Sequence, residues 1–438
     1  MINFSFLSFS NKVQLKIIFL KFIILLNLLL TPNFVFAAFA NYNSILIGDQ
    51  AAGLGGAYTA LYGDTAGGPY YNPAGLAWME GNSFSASVSI YKKFDTVIGS
   101  EEDFIKAPLR VNQGFFQSIP SSTGSLFKYE DFTLGMSIVV PDYETFKGDI
   151  SNAGNNTSTL SYLDQSLWVG GTAAKKIDKW NSLGLTVYYT ARDYNRTVQD
   201  RTVDIPNNTV NLYSEEKSIL GNSVVIILGH QHHFNQYFFS GLSVRLPSIE
   251  ISGTGSYFSN EVKTQKSTTD NSYALSITPV SQPSLASHTR IPGKISLGFA
   301  YQDFPIKISL DGSIYFAEKY FDIDLPTYRS KVQHQLMGNG AFGIEYQPLP
   351  NLILRTGWFT NLTSYKNLNI DDKYGDRVDQ LGWAANFTFI TKEQVHFTFG
   401  GYYVGGRGKS IQRINQEYTI SSEMQQVFTM LLSTSYAF

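Results

Sequence analysis

The chain of 438 residues contains no cysteine. That excludes disulfides, thiolate zinc sites, cysteine nucleophiles and an acylated lipoprotein N-terminus. Charge is scarce: Asp, Glu, Lys and Arg make up 16% of the sequence, against roughly 25% in ordinary soluble domains. The net charge of −2 gives no electrostatic driver for binding a phosphate backbone, so nucleic acid is not an expected partner. Long apolar runs are also missing. A mean hydropathy of −0.10 excludes a bundle of membrane-spanning helices. What the chain has instead is aromatic and small residues, with 27 Tyr, 32 Phe and 37 Gly.

Residues 1–40 carry Lys12, Lys16 and Lys21 and no acid. An apolar stretch from Phe22 to Leu30 follows, then Pro32 and the small residues Ala37, Ala38 and Ala40. This order of basic, apolar and small segments predicts a secretory signal peptide. The apolar stretch is shorter than the ~20 residues of a spanning helix. Ala38-Phe39-Ala40 places cleavage after Ala40, with Ala37 and Ala38 as neighbouring alternatives. The mature chain then loses three lysines and carries −5.

From Asn82 onward the dominant period is two. Phe84, Ala86, Val88 and Ile90 interleave with Ser83, Ser85, Ser87 and Ser89, and Phe132, Leu134, Met136, Ile138 and Val140 repeat the pattern. Alternation means strands with two unlike faces, which a sandwich and a barrel share. The connections separate them. Fourteen segments are expected, at 82–94, 113–128, 131–141, 158–176, 182–195, 216–230, 236–247, 288–302, 305–317, 336–347, 351–361, 378–390, 393–405 and 423–438. Linkers between them alternate between two to five residues and fifteen or more. A transmembrane barrel has short periplasmic turns and long outer loops, and a sandwich has no reason to sort them. The expected fold is all-β: an antiparallel transmembrane β-barrel of about 14 strands, residues 82–438. At the C-terminus Phe428, Met430, Leu432, Thr434, Tyr436 and Phe438 form a lipid-facing stripe ending in an aromatic.

Residues 41–81 do not alternate. Small residues dominate, with Gly53, Gly55 and Gly56 permitting close backbone approach. Leu54, Tyr58, Tyr71, Leu76 and Trp78 are too apolar for a solvated linker. Ala51–Leu61 is expected to form a helical turn or two. Asn72 is placed to cap a second one that Pro73 opens. Such a segment cannot bury a core of its own, and a barrel lumen is available to it.

The run Ala51-Ala52-Gly53-Leu54-Gly55-Gly56-Ala57, then Asp64, then Tyr71-Asn72-Pro73-Ala74-Gly75-Leu76-Ala77 resembles the FadL/TodX family of outer-membrane transporters for long-chain fatty acids and aromatic hydrocarbons. Pro292-Gly293-Lys294 and the terminal Phe438 fit the same family, with Ser433 standing where its terminal strand usually has Gly. The resemblance implies an N-terminal hatch over 41–81, with Gly53, Gly55, Gly56, Asn72, Pro73, Ala74 and Gly75 as its motif. It further implies passive uptake of fatty acids or related hydrocarbons across a bacterial outer membrane, and no cofactor. Substrate in that family leaves sideways through a gap in the barrel wall. Tyr436 and Phe438 resemble the signal read by the outer-membrane assembly machinery, and outer-membrane lipid is the expected surround. An alternative is a PorV-type adaptor in protein secretion, which shares a similar hatch motif.

A fatty-acid carboxylate in an apolar pocket needs a cation. Strand parity turns Arg192, Arg245, Lys294, Lys307 and Arg355 inward, as candidate partners for substrate or for hatch and wall acids such as Asp49, Asp64 and Asp311. His230, His232 and His233 fall at a short turn without a carboxylate in the local sequence, so no metal site is expected. No motif ties a serine to His288 or His396, and no enzymatic activity is expected. The loop 248–287 reads either as an apolar capture surface or as an extension of two tall strands.

Overall fold

The computed structural model describes residues 41–99, 119–153, 156–205, 209–266, 272–324, 329–365, 368–370, 375–414 and 417–438. The expected leader and its cleavage site lie outside them. The strands are β1 (Ser83–Gly99), β2 (Ile119–Tyr129), β3 (Phe132–Ala153), β4 (Asn156–Lys176), β5 (Asn181–Asp204), β6 (Thr209–His233), β7 (Phe238–Arg245), β8 (Ile249–Lys266) and β9 (Tyr273–Ala286). They continue as β10 (Lys294–Asp303), β11 (Ile306–Tyr315), β12 (Glu318–Asp324), β13 (Arg329–His334), β14 (Met337–Leu349), β15 (Leu352–Asn361), β16 (Asp376–Ile390), β17 (Val395–Ile414) and β18 (Glu417–Ala437).

Fourteen of these close into one antiparallel ring. Its order is β1 to β7, then β10, β11 and β14 to β18, with β18 back against β1. Each of the fourteen expected segments overlaps a strand of this ring, with 113–118 lying outside the described residues. Two hairpins were not expected as separate elements. β8–β9 lies along the far half of β6, and β12–β13 forms a two-stranded sheet of its own. The first realises the tall extension of 248–287. Several expected loops are also strand. β4, β5 and β6 run for 21, 24 and 25 residues, well beyond the 9–11 that cross a bilayer. Beyond the membrane both faces of a strand are wet, so the two-residue period that marks a strand in sequence fades there.

Outward side chains are apolar and exposed, among them Met136, Leu183, Leu185, Leu310, Trp383 and Phe399. Inward ones are small and polar, among them Ser85, Ser137, Thr186, Ser309 and Thr398, all buried. This is the outer face a lipid bilayer covers and the polar interior of a membrane barrel. The closing seam is the β1–β18 ladder from Ser83–Ala437 to Gly99–Ser422, extended by Asn82 and Phe438, each donating its N–H to the other's carbonyl at 2.9 Å. Phe438 stacks on Tyr436 with ring centroids 5.5 Å apart, and both rings are exposed.

Residues 41–81 lie inside the ring, touching it on every side. Thr65 Oγ1 meets Ser83 Oγ on β1 at 2.8 Å, and Gly48 donates to Ser122 Oγ on β2 at 3.1 Å. Ser182 on β5 donates to Ala74 O, and Gln231 on β6 to Ala60 O. The N–H groups of Tyr58 and Thr59 share Asp311 Oδ2 on β11 at 2.8 and 2.7 Å. Asn386 on β16 and Thr398 on β17 both reach Asp49. The first helix spans Asp49–Gly53, so only Ala51–Gly53 of the expected stretch is helical. Gly55 and Gly56 turn to φ +66° and +81°, left-handed values that stop a helix and that glycine adopts without penalty. A second helical turn spans Gly68–Tyr71. The Asn72 cap is formed as expected: its side chain accepts from Ala74 N at 3.1 Å and opens the 3₁₀ helix Pro73–Trp78.

Candidate functional site

The barrel wall is not uniformly laced. β2 pairs with β3 only from Tyr129–Phe132 up to Ser122–Val139. Beyond that point β3 continues with β4 to Ala153, and β1 continues with β18 to Gly99. Among the described residues no ladder there joins β1–β2 to β3. The local sequence explains the break. β3 carries a bulge between Val139 and Asp142, so that Val140 and Pro141 stand opposite the single residue Leu167. Pro141 has no N–H to give to a ladder, and a bulge bends its strand away from its neighbour. A second proline, Pro120, sits on β2 next to a register shift against β1 at Ser87–Val88.

At this break lies a cavity of about 970 Å³. It is lined from the inner face by Ser87, Ser122, Ser166 and Arg192 and from the outer face by Ile138, Leu167, Leu220 and Leu432. Residues of both faces of the wall thus meet in one cavity. A smaller cavity of about 30 Å³, room for one water, lies deeper in the lumen. Tyr42 and Tyr70 of the luminal segment, Trp168, Arg245 and His334 line it. Ser166 and Arg192 line both cavities and so lie at the boundary between them.

The five inward cations divide into two groups. Lys307 Nζ and Arg355 Nε both bind Glu345, at 2.8 and 2.6 Å, and Arg355 also donates to Thr388 at 2.6 Å. Arg192 forms a two-pronged pair with Asp164, Nε to Oδ1 at 3.0 Å and Nη2 to Oδ2 at 2.6 Å. Arg245 and Lys294 are register partners on β7 and β10. Arg245 donates to Pro292 O at 3.1 Å and stands over the rings of Trp168 and Tyr315, 5.7 and 5.6 Å from their centroids. Its Nε is buried without an acceptor among the described residues. Lys294 lies 5.3 Å from the Tyr315 ring centroid. Within the smaller cavity Arg192, Arg245 and Arg290 face one acid, Asp142.

Tyr42 is one of the residues that line that cavity. Its hydroxyl hydrogen-bonds with His334 Nδ1 at 2.6 Å, and its ring stacks on Tyr315. Burial holds the His334 imidazole down at about 3, with Arg192 adding to the shift, so it stays neutral and can accept. Sequence reading did not find Tyr42, Tyr70, Trp168, His334, Asp164 or Glu345. Only Asp164 and Glu345 carried a signal, being acids at inward parity.

Of the residues singled out in the luminal segment, Gly53, Gly55, Asn72, Pro73, Ala74 and Gly75 meet the wall, whereas Gly56 packs within the segment. A Cβ on Gly53 would overlap the Asn386 side chain, and one on Gly75 would meet Leu61 O. Asn72 Nδ2 donates both to Thr59 O at 2.7 Å and to His230 O at 3.1 Å, tying the segment to itself and to β6. Pro73 and Ala74 lie against Gly184 of β5. His230 and His232 both reach Asn181 Oδ1, at 3.2 and 2.9 Å, and His233 stacks on Trp78. No group of metal-binding side chains forms among the described residues.

No protein-family model matches the sequence, and no characterised protein matches it by sequence. Its fold does match solved structures. A FadL homologue from Pseudomonas aeruginosa aligns at a TM-score of 0.64 and 12% identity, over 91% of this chain and 100% of that one. The toluene transporter TodX of P. putida aligns at 0.59 and 12%, over 91% and 99%. The monoaromatic hydrocarbon channel CymD aligns at 0.58 and 13%, over 91% and 99%. At such identities the likeness is one of architecture: the chain has the fold of the FadL/TodX outer-membrane transporters.

Proposed function

We propose that the protein is an outer-membrane channel that admits hydrophobic compounds, foremost long-chain fatty acids, and releases them sideways through the break between β1–β2 and β3. The observation that carries this reading is the apolar cavity of about 970 Å³ lined from both faces of the wall. A water-filled pore offers an apolar solute no favourable contact, whereas an apolar opening lets it pass from lumen to lipid without crossing water. TodX and CymD, which share the fold, are by their names a toluene transporter and a monoaromatic hydrocarbon channel.

Residues 41–81 would serve as the hatch, residues 82–438 as the barrel, and residues 1–40 as the signal peptide. Tyr436 and Phe438 would be read by the assembly machinery. Fatty acids are favoured among hydrophobic compounds because the inner cavity is cationic. Arg245 and Lys294 are poised to hold a carboxylate, while Lys307 and Arg355 are engaged by Glu345. Changing Arg192, Arg245, Lys294, Lys307 and Arg355 singly to Ala and following oleate uptake tests this. A lost charge-assisted contact costs about 1.5–3 kcal/mol, roughly tenfold or more in affinity. The reading expects that loss for Arg245 and Lys294. Parent-like uptake by all five variants would show that the substrate is neutral or bound elsewhere.

A further inference from the structure

We propose that Asp164 is a built-in competitor for the substrate carboxylate at Arg192, making the Arg192–Asp164 pair a charge-selective release step between the luminal cavity and the wall opening. The proposal rests on the transport reading above. Three observations carry it. Arg192 and Ser166 are the residues common to both cavities, so this guanidinium stands at the boundary between them. Both prongs of the guanidinium face Asp164, in the fork geometry that a fatty-acid carboxylate would itself adopt. A second acid, Asp142, lies beside this boundary and accepts from Ser166 Oγ at 2.9 Å.

The physical problem is retention. A carboxylate that reached buried cations and met no competitor would stay, and a conduit must bind weakly enough to let go. At Arg192 an incoming carboxylate exchanges for Asp164, whose own carboxylate returns as the substrate moves on. Arg192 keeps a carboxylate partner at both ends of the exchange, and the displaced Asp164 carboxylate, unpaired while the substrate is held, drives the substrate off as it returns. A solute without a charge has nothing to trade and passes the intact pair. Asp164 is therefore a specificity residue that acts through Arg192.

The test compares oleate with oleyl alcohol, which has the same chain and no charge, on the full-length protein in proteoliposomes. Asp164→Asn keeps the shape and one acceptor for Arg192 but removes the competing charge. It should slow oleate dissociation at least about tenfold and lower oleate uptake, with oleyl alcohol unchanged. In an Arg192→Gln background the same change should have no effect on oleate dissociation, because the group competed for is gone. Parent-like oleate dissociation in Asp164→Asn would overturn the proposal, as would equal changes for acid and alcohol, the mark of a merely structural role. If the parent takes up neither compound, the transport reading itself fails. Retention of the heat-dependent gel shift reports that each variant has folded.

Discussion

At the scale of single residues, the wall glycines set how closely the luminal segment can lie. A Cβ on Gly241 of β7 would overlap the Thr59 carbonyl, and one on Gly357 of β15 the Leu54 backbone. Gly241→Ala should therefore push Thr59 off the wall and weaken the two N–H bonds to Asp311. Overpacking of this kind costs about 1–3 kcal/mol, readable as a lower temperature for loss of the heat-dependent gel shift. Gly312→Ala is the matched control, since nothing lies within 4 Å of its added methyl, and it should melt with the parent. Equal melting of the two variants would mean that contact with Thr59 does not stabilise the fold. Half of this was legible in the sequence. Gly53, Gly55 and Gly56 announced close approach within the segment, but a glycine on a strand does not say what approaches it. The cations were similar: parity turned all five inward, while Glu345 and Asp164 became their partners through strand register.

At the scale of elements, the luminal segment is organised around one carboxylate. Asp64 Oδ2 accepts from Gln50 N and Ala51 N, and Oδ1 from Ala66 N and Gly67 N, at 3.0, 3.2, 3.1 and 2.7 Å. The side chain thus joins the turn after Gly48 to the turn before Gly68. Burial and the neighbouring Asp49 push it up to about 7, against the N–H donors of Gly67, Ala51 and Gln50 that pull it down. An acid raised above its unfolded value, about 3.9, binds its proton more tightly in the packed segment than in the free chain. Packing is then strongest below about pH 4, weakens between pH 4 and 7, and stays weaker above. Amides of residues 49–67 should show lower protection factors at pH 8 than at pH 5.5, after correction for intrinsic exchange. Asp64→Asn should flatten that difference, and an unchanged pH profile in the variant would contradict the assignment. The strands were the most legible elements, because alternation and the sorting of turn lengths are local. The hairpins β8–β9 and β12–β13 were not, since strands wet on both faces lose the period. The wall break was hidden for a different reason: a bulge adds one residue, less than the uncertainty of any strand boundary read from sequence.

At the scale of the whole molecule, a ring of fourteen strands is too wide for its own side chains to fill, closed packing being reached near eight. Residues 41–81 supply the missing filling, with Ile47, Leu54, Tyr58 and Leu76 nearly inaccessible. The ladder of the barrel does not depend on them. Deleting residues 42–80 should leave a folded barrel that conducts ions steadily in planar bilayers, while the parent stays nearly silent. Equal conductance would show that the segment does not seal the lumen.

The central claim is that substrate leaves through the wall rather than along the barrel axis. Deleting Pro141 removes the extra residue opposite Leu167 and lets β3 continue straight. That variant should fold, show the heat-dependent gel shift and still bind oleate, because Arg245 and Lys294 are untouched. Its oleate uptake, measured in the same proteoliposomes as the parent, should fall by about tenfold or more, as expected when a binding site loses its exit. Uptake at the parental rate through a barrel whose break had been closed would contradict the account.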